Sequence, residues 1–173
     1  MIVCAGNIEM IKGANPIGVG LIASALNLSQ VVKDKAPEEI IFIGSAGSYG
    51  RYKPFDIVHS CVVTHIEASN ILGYSYTPIE DVEITNVSCE TNIVVNSSNY
   101  ITTNKEVAQL FLEKGIDLEN MEFYSVLYIA KKYKINAKGV FVVTNYCDEN
   151  AHGDFVKNLP KAKEIMEDIV AKS

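Results

Sequence analysis

Residues 40–47 read IIFIGSAG. Ile40-Ile41-Phe42-Ile43 holds no polar position, so an extended chain there has no face suited to water. That is the pattern of a strand buried on both sides, as in parallel sheets covered by helices. It runs straight into Gly44-Ser45-Ala46-Gly47, whose small residues predict a loop at the strand's carboxyl end. Upstream, Leu21, Ala25, Leu28 and Val32 recur at helical spacing from Gly18 onward, and Ala36-Pro37 ends that helix. Before it, Ile2 to Ala5 reads as a short buried strand ending at Gly6, with a loop over residues 6–9.

Downstream, Asp56 to Val63 and Ile93 to Val95 read as further strands, the second opening into Asn96-Ser97-Ser98-Asn99-Tyr100. Residues 64–92 are polar and read as loops with short strands. Thr103 and Glu106 have the spacing of a capping box, and the helix they start stops at Gly115. Met121 to Ala130 is apolar nearly all round and predicts a buried helix. Val140 to Val143 is another buried strand, leading into Thr144-Asn145-Tyr146-Cys147-Asp148. A last amphipathic helix is expected after Pro160, with Ala162, Ile165, Met166 and Ile169 inward. Strands alternating with helices predict a layered α/β architecture with a central mixed, largely parallel sheet, as one domain over residues 1–173. Ligands in such sheets sit beyond the strands' carboxyl ends. The loops at residues 6–9, 44–48, 96–101 and 144–148 are therefore the places to look.

Composition narrows the function classes. The chain has 173 residues, 48% hydrophobic and 21% charged, enough for a sizeable core. Its net charge of −6 disfavours a nucleic-acid binder. No apolar run is long enough to span a bilayer, and the opening MIVCAGNIEM lacks the features of a leader, so a cytoplasmic protein without membrane partners is expected. Cys4, Cys61, Cys89 and Cys147 show no metal-ligand spacing and are expected to be reduced. His59, His65 and His152 show neither metal spacing nor a nucleophile partner, so no metal is expected. Arg51 is the single arginine, which leaves little for bidentate phosphate binding.

Several residues could carry chemistry, and each has a plain structural alternative. Gly44, Ser45 and Gly47 can bring backbone N–H groups and a hydroxyl to an anion or a sugar, or can form a tight turn. Glu122, in the apolar run NMEFYSVLYIA, is a costly buried carboxylate that sugar hydroxyls could satisfy, or a helix-start carboxylate. Asn145 and Asp148 can meet a heterocycle edge or serve a turn. Tyr100 can stack on a ring or pack at a rim. Glu9 can act as a general base or cap a helix.

In order along the chain, Gly18-Val19-Gly20, Gly44-Ser45-Ala46-Gly47, Asp56-Ile57-Val58, Asn120-Met121-Glu122 and Thr144-Asn145 with Asp148 resemble the purine nucleoside phosphorylase and nucleosidase superfamily. The branch they are most similar to is the methylthioadenosine/S-adenosylhomocysteine nucleosidases. The resemblance implies a three-layer phosphorylase/hydrolase-like fold and cleavage of an N-ribosidic bond without cofactor or metal. It implies that Met121 and Glu122 hold the ribose, and that Ser45, with Gly44 and Gly47, contacts the ribose, phosphate or nucleophilic water. It further implies that Tyr100 stacks on the base and that Glu9 activates water. Its partners are then a purine nucleoside, phosphate if it is a phosphorylase, and a second copy of the chain in a homo-oligomer.

The family's acidic aspartate falls at Asn145, an amide that can bind the base but cannot protonate it. Asp148 could supply that proton from a shifted position. The Thr-Asn pair is also seen in phosphorylases that prefer 6-oxopurines. Scarce arginine and Glu9 favour water as nucleophile, whereas the Thr-Asn pair favours a phosphorylase-like base site. The alternative is a nucleoside-binding or regulatory protein on the same fold with weakened catalysis. Compared with the family pattern, the stretch before Gly18 and the stretch from Val63 to Ile93 look shortened.

Overall fold

The structure is a computed structural model that describes residues 1–86 and 91–173. In chain order its elements are β1 (Ile2–Cys4), β2 (Asn15–Pro16), α1 (Leu21–Lys35), β3 (Glu39–Ser48), β4 (Ile57–Ser60), β5 (Val62–Thr64) and α2 (Ala68–Ile71). They continue with β6 (Glu83–Thr85), β7 (Val94–Ser97), α3 (Lys105–Glu113), β8 (Leu118–Asn120), α4 (Phe123–Tyr133), β9 (Asn136–Tyr146) and α5 (Ala151–Ala171).

The nine strands among the described residues join one mixed sheet in the order β2-β1-β3-β8-β7-β5-β6, with β9 on the other side of β3 and β4 beyond it. The pairs β1–β2, β1–β3, β3–β9, β5–β7 and β7–β8 are parallel, and β3–β8, β4–β9 and β5–β6 antiparallel. The all-apolar start of β3 is explained by its position. It lies at the centre of the sheet, with β1 and then β8 along one edge and β9 along the other.

Helices cover both faces, giving three layers. Leu28 and Val32 of α1 and Phe123, Val126 and Leu127 of α4 pack with Val3, Phe42 and Phe141. Ala162 and Met166 of α5 pack with Cys4, Ile43, Val140 and Val142. Neighbouring residues Phe42 and Ile43, or Phe141 and Val142, thus feed opposite layers, the period of two that a strand imposes. Phe42, Phe123 and Phe141 form one aromatic knot, with ring centroids 5.1 to 6.0 Å apart. Burying each such ring contributes roughly 2–3 kcal/mol. A third cluster joins α2 and α3 to Tyr49 and Cys147.

Several expectations are corrected. Gly44 to Gly47 is strand, not loop: β3 continues to Ser48 because β9 pairs with it along its length, with an irregularity between Ala46 and Gly47. The same pairing carries β9 on through Thr144, Asn145 and Tyr146. The region predicted as one strand over 56–63 is two strands, β4 and β5, with different partners. The N-cap of α3 is Asn104, whose Oδ1 accepts from the Val107 N–H at 2.9 Å, not Thr103. Leu118–Asn120, to which the sequence pattern assigns no element, is a buried strand. The last helix starts at Ala151, nine residues before the proline taken as its start. Pro160 sits inside it, where its missing N–H cannot meet the carbonyl of Val156 four residues back. Cys4 and Cys147 are buried free thiols, while Cys61 is disulfide-bonded, against the reduced state expected. Cys89 lies outside the described residues. No helix among the described residues is long and apolar enough to cross a membrane.

Candidate active site

A cavity of about 270 Å³ opens at the carboxyl ends of β1, β3 and β9. Glu9, Ser45, Gly47, Tyr100, Met121, Glu122 and Asn145 all line it, although they lie up to 136 positions apart in the chain. Gly44 and Asp148 do not line it. A Cβ at Gly44 would sit 2.8 Å from the Phe42 ring, so this glycine makes room for the aromatic knot instead. Asp148 accepts from the Asn150 N–H at 2.8 Å and so shapes the turn into α5.

Glu9 reaches the cavity from a tight turn in which its N–H donates to the Gly6 carbonyl at 2.9 Å. Its carboxylate straddles Ser45: the Ser45 hydroxyl donates to Oε1 at 2.7 Å and the Ser45 N–H to Oε2 at 3.1 Å. The strand and the turn thereby hold each other. Glu9 is half-buried, so its remaining lone pairs are open to the cavity.

Glu122 follows β8 and is only 3% exposed. Asn120 fixes the backbone there: its Oδ1 accepts from the Glu122 and Phe123 N–H groups at 2.8 and 2.9 Å, and its Nδ2 donates to the Ser45 carbonyl at 3.1 Å. The Glu122 carboxylate in turn accepts from the Gly20 N–H at 2.8 Å, at the start of α1, where the helix dipole favours a negative charge. Gly20 has φ +82°, and a Cβ there would meet Asn99 Oδ1 at 2.9 Å, so glycine alone suits that position. Burial pushes the Glu122 carboxyl up to about 7, the Gly20 N–H pulls it down, and the charge of Glu9 pushes it up again.

The Asn145 amide is tied at both ends. Its Oδ1 accepts from the Thr144 hydroxyl at 2.8 Å and its Nδ2 donates to the Tyr146 carbonyl at 2.9 Å. One N–H and one oxygen lone pair remain for a ligand. Asn145 stands beside Gly47 across the sheet, and Glu119 stands beside Gly47 on the other side. A Cβ at Gly47 would lie 3.2 Å from Asn145 Nδ2 and 3.2 Å from Glu119 Cγ, so the absent side chain opens the cavity floor. Tyr100 is 81% exposed at the cavity wall.

Among the lining residues that sequence reading did not assign to the site are Glu119, His152 and Phe155. The charge of Glu119 lies in a short stretch between two expected helices to which the sequence pattern assigns no element. His152 and Phe155 became visible only once α5 was found to begin before Pro160. The cavity is lined by three glutamates, and no lysine or arginine is among its described lining residues. Arg51 is elsewhere: its Nη1 lies 2.8 Å from Oδ1 of the fully buried Asp117. No group of three or more metal-ligating side chains gathers among the described residues.

An α/β sheet whose strand ends carry buried carboxylates around an apolar cavity defines a small-molecule site. The chain belongs to the phosphorylase superfamily, which its sequence matches over residues 2–173. No curated protein matches the sequence. Among solved structures, the chain is similar to a variant of the Helicobacter pylori nucleosidase crystallised with 5'-methylthioadenosine in its active site. The TM-score is 0.83 at 16% identity, covering 99% of this chain and 95% of that one. A futalosine hydrolase variant from Helicobacter pylori gives 0.82 at 15%, covering 98% and 95%. The Neisseria meningitidis 5'-methylthioadenosine/S-adenosylhomocysteine nucleosidase in complex with methylthio-immucillin-A gives 0.79 at 15%, covering 98% and 95%. At such identities these similarities establish the fold.

Proposed function

We propose that the protein hydrolyses the N-ribosidic bond of a purine nucleoside or thio-nucleoside, releasing the free base and the sugar. The observation that carries this is the charge of the cavity: three glutamates line it, while the chain's one arginine is spent on Asp117. Such a site repels phosphate and favours a reaction centre that turns positive. Breaking a C1′–N bond does this, because the ribosyl group passes through an oxocarbenium-like state.

In this reading Glu122 and Met121 hold the ribose, with the carboxylate accepting from sugar hydroxyls. Glu9, oriented by Ser45, takes a proton from the attacking water. The water oxygen bonds to C1′ as the C1′–N bond breaks; the pair of that bond leaves with the base, which takes up a proton from solvent, and Glu9 releases its proton to solvent. Tyr100 stacks on that base and the free N–H of Asn145 donates to it. Within the described residues this scheme draws on side chains alone, with no metal or cofactor. A second copy of the chain could cover the apolar cavity mouth at Ile8, Val19 and Ile101 in a homo-oligomer.

A second reading rests on Asn145. An amide cannot protonate the leaving base, and general acid catalysis is typically worth ~10²–10⁴-fold. The same site with slow or no turnover is a nucleoside-binding protein. Glu9→Gln separates the two readings. Hydrolysis predicts that base release falls by on the order of 10²-fold or more while calorimetry still detects nucleoside binding. A variant that releases base as fast as the parent overturns the assignment of Glu9. A parent that binds but never releases base supports the second reading.

A further inference from the structure

The cavity wall at Ser98, Tyr100 and Ile101 is also the wall of a second cavity, of about 170 Å³, lined on its far side by Ile66, Val107 and Phe111. Ser98, Tyr100 and Ile101 thus stand between the two cavities, and Thr102 continues the strip along the second one, so the segment acts as a partition. A segment with space on both faces makes few dispersion contacts, so polar ties decide where it sits. Three of its ties are local or solvent-exposed. The Leu21 N–H donates to Asn99 Oδ1 at 2.9 Å, the Tyr100 N–H to Ser98 Oγ at 3.2 Å, and Ser98 Oγ to Glu67 Oε2 at 3.4 Å.

The fourth tie ends in the sheet. The Thr102 N–H donates to both oxygens of Glu119, at 3.0 and 3.3 Å. Glu119 is 8% exposed and stands on β8, hydrogen-bonded between β3 and β7. The Tyr49 hydroxyl donates to its Oε2 at 3.1 Å, and the Tyr49 ring stacks on Phe111 with centroids 4.6 Å apart. No lysine or arginine forms an ion pair with this carboxylate among the described residues. Its oxygens are met by hydrogen bonds, and burial holds its carboxyl above the usual range. A hydrogen bond in a dry setting is stronger than one shared with water.

We propose that Glu119 is a positioning residue: by gripping the Thr102 N–H it pins the Ser98–Thr102 partition and so sets the width of the cavity on the side where Tyr100 meets a ligand. Without that grip the partition relaxes towards the second cavity and Tyr100 loses its place. The kinetic readout rests on the hydrolase reading, whereas the structural readout does not.

The test is amide hydrogen exchange by NMR on the full chain, with Glu119→Leu and Glu119→Gln. In the parent, Thr102 is expected to exchange at least 10-fold more slowly than Tyr100 and Ile101. Glu119→Leu, which removes the acceptor, should speed Thr102 by about 10-fold or more and leave Val95 within about 2-fold. Glu119→Gln, which keeps an oxygen there, should restore most of the protection. For 5'-methylthioadenosine hydrolysis, Glu119→Leu should raise KM by about 10-fold, and Glu119→Gln should recover KM.

Thr102 exchanging like its neighbours in the parent overturns the proposal even if Glu119→Leu does not fold. So does unchanged protection or unchanged KM in a folded Glu119→Leu. If Thr102 is released as expected but the parent cleaves no nucleoside, the tie stands and the hydrolase reading falls.

Discussion

Glu122→Gln removes a buried negative charge and keeps an oxygen able to accept the Gly20 N–H. Burial raises the Glu122 carboxyl from its ordinary 4.5 to about 7, and the charge of Glu9 adds to the rise. Between these values the folded chain holds a proton that the unfolded chain has released. The group's contribution to stability is therefore fully present below about pH 4.5 and is lost as pH rises through about 7. At about 1.4 kcal/mol per pH unit, the loss by pH 8 comes to about 3 kcal/mol. Glutamine has no proton to lose, so the variant escapes it.

Urea unfolding of both proteins at pH 5 and pH 8 measures this. Moving from pH 5 to pH 8, after the first fraction of that loss has already occurred below pH 5, the variant should gain about 2.5 kcal/mol on the parent. With m near 2 kcal/mol/M this is a midpoint shift of about 1.2 M. The same variant should lose base release by on the order of 10²-fold, because a neutral amide replaces the carboxylate at the sugar hydroxyls. The parent's kcat/KM should fall as pH drops below about 7, where Glu122 takes up its proton. A stability difference that is equal at the two pH values refutes the reasoning, since it means Glu122 is already charged and solvated in the folded chain.

Ser45→Ala removes the 2.7 Å hydroxyl contact to Glu9 and keeps the backbone contact; thermal unfolding should show a loss of about 1 kcal/mol, and steady-state kinetics a fall in kcat with little change in KM. Arg51→Met strands the buried Asp117 charge, and because Arg51 is itself 54% exposed the cost by denaturant unfolding should be about 2 kcal/mol, with no change in the response of base release to phosphate. Asn145→Asp puts a carboxyl oxygen against the Tyr146 carbonyl that Nδ2 now contacts at 2.9 Å, which favours the protonated acid. Base release from 6-aminopurine nucleosides should rise by about 10-fold or more, as expected for a restored general acid, in assays near pH 6.

The sheet was legible because its strands are apolar enough to leave no other reading. Ile40 to Ile43 and Val140 to Val143 announced the two central strands, and their carboxyl ends held Ser45 and Asn145. The limits of those strands were not legible. Small residues such as Gly44-Ser45-Ala46-Gly47 look like a turn until the neighbouring strand supplies partners for their backbone groups. Leu118–Asn120 was too short to show a period, and its pairing with β3 and β7 depends on residues far along the chain. This hid Glu119, whose significance comes from Thr102 and Tyr49 folding onto it. Pro160 misled because proline is favoured at the first position of a helix and is uncommon inside one. Glu122 was legible as a costly carboxylate in an apolar run, yet its partner, the N–H of Gly20, lies 102 residues away.

The measurement closest to the central claim is chromatographic detection of free base from inosine, adenosine and 5'-methylthioadenosine, each with and without phosphate. A cavity lined by three glutamates, with Arg51 held on Asp117, predicts release in the absence of phosphate, at a rate that added phosphate does not raise. Release that requires phosphate and yields a sugar phosphate, or no release from any of the three, would contradict it.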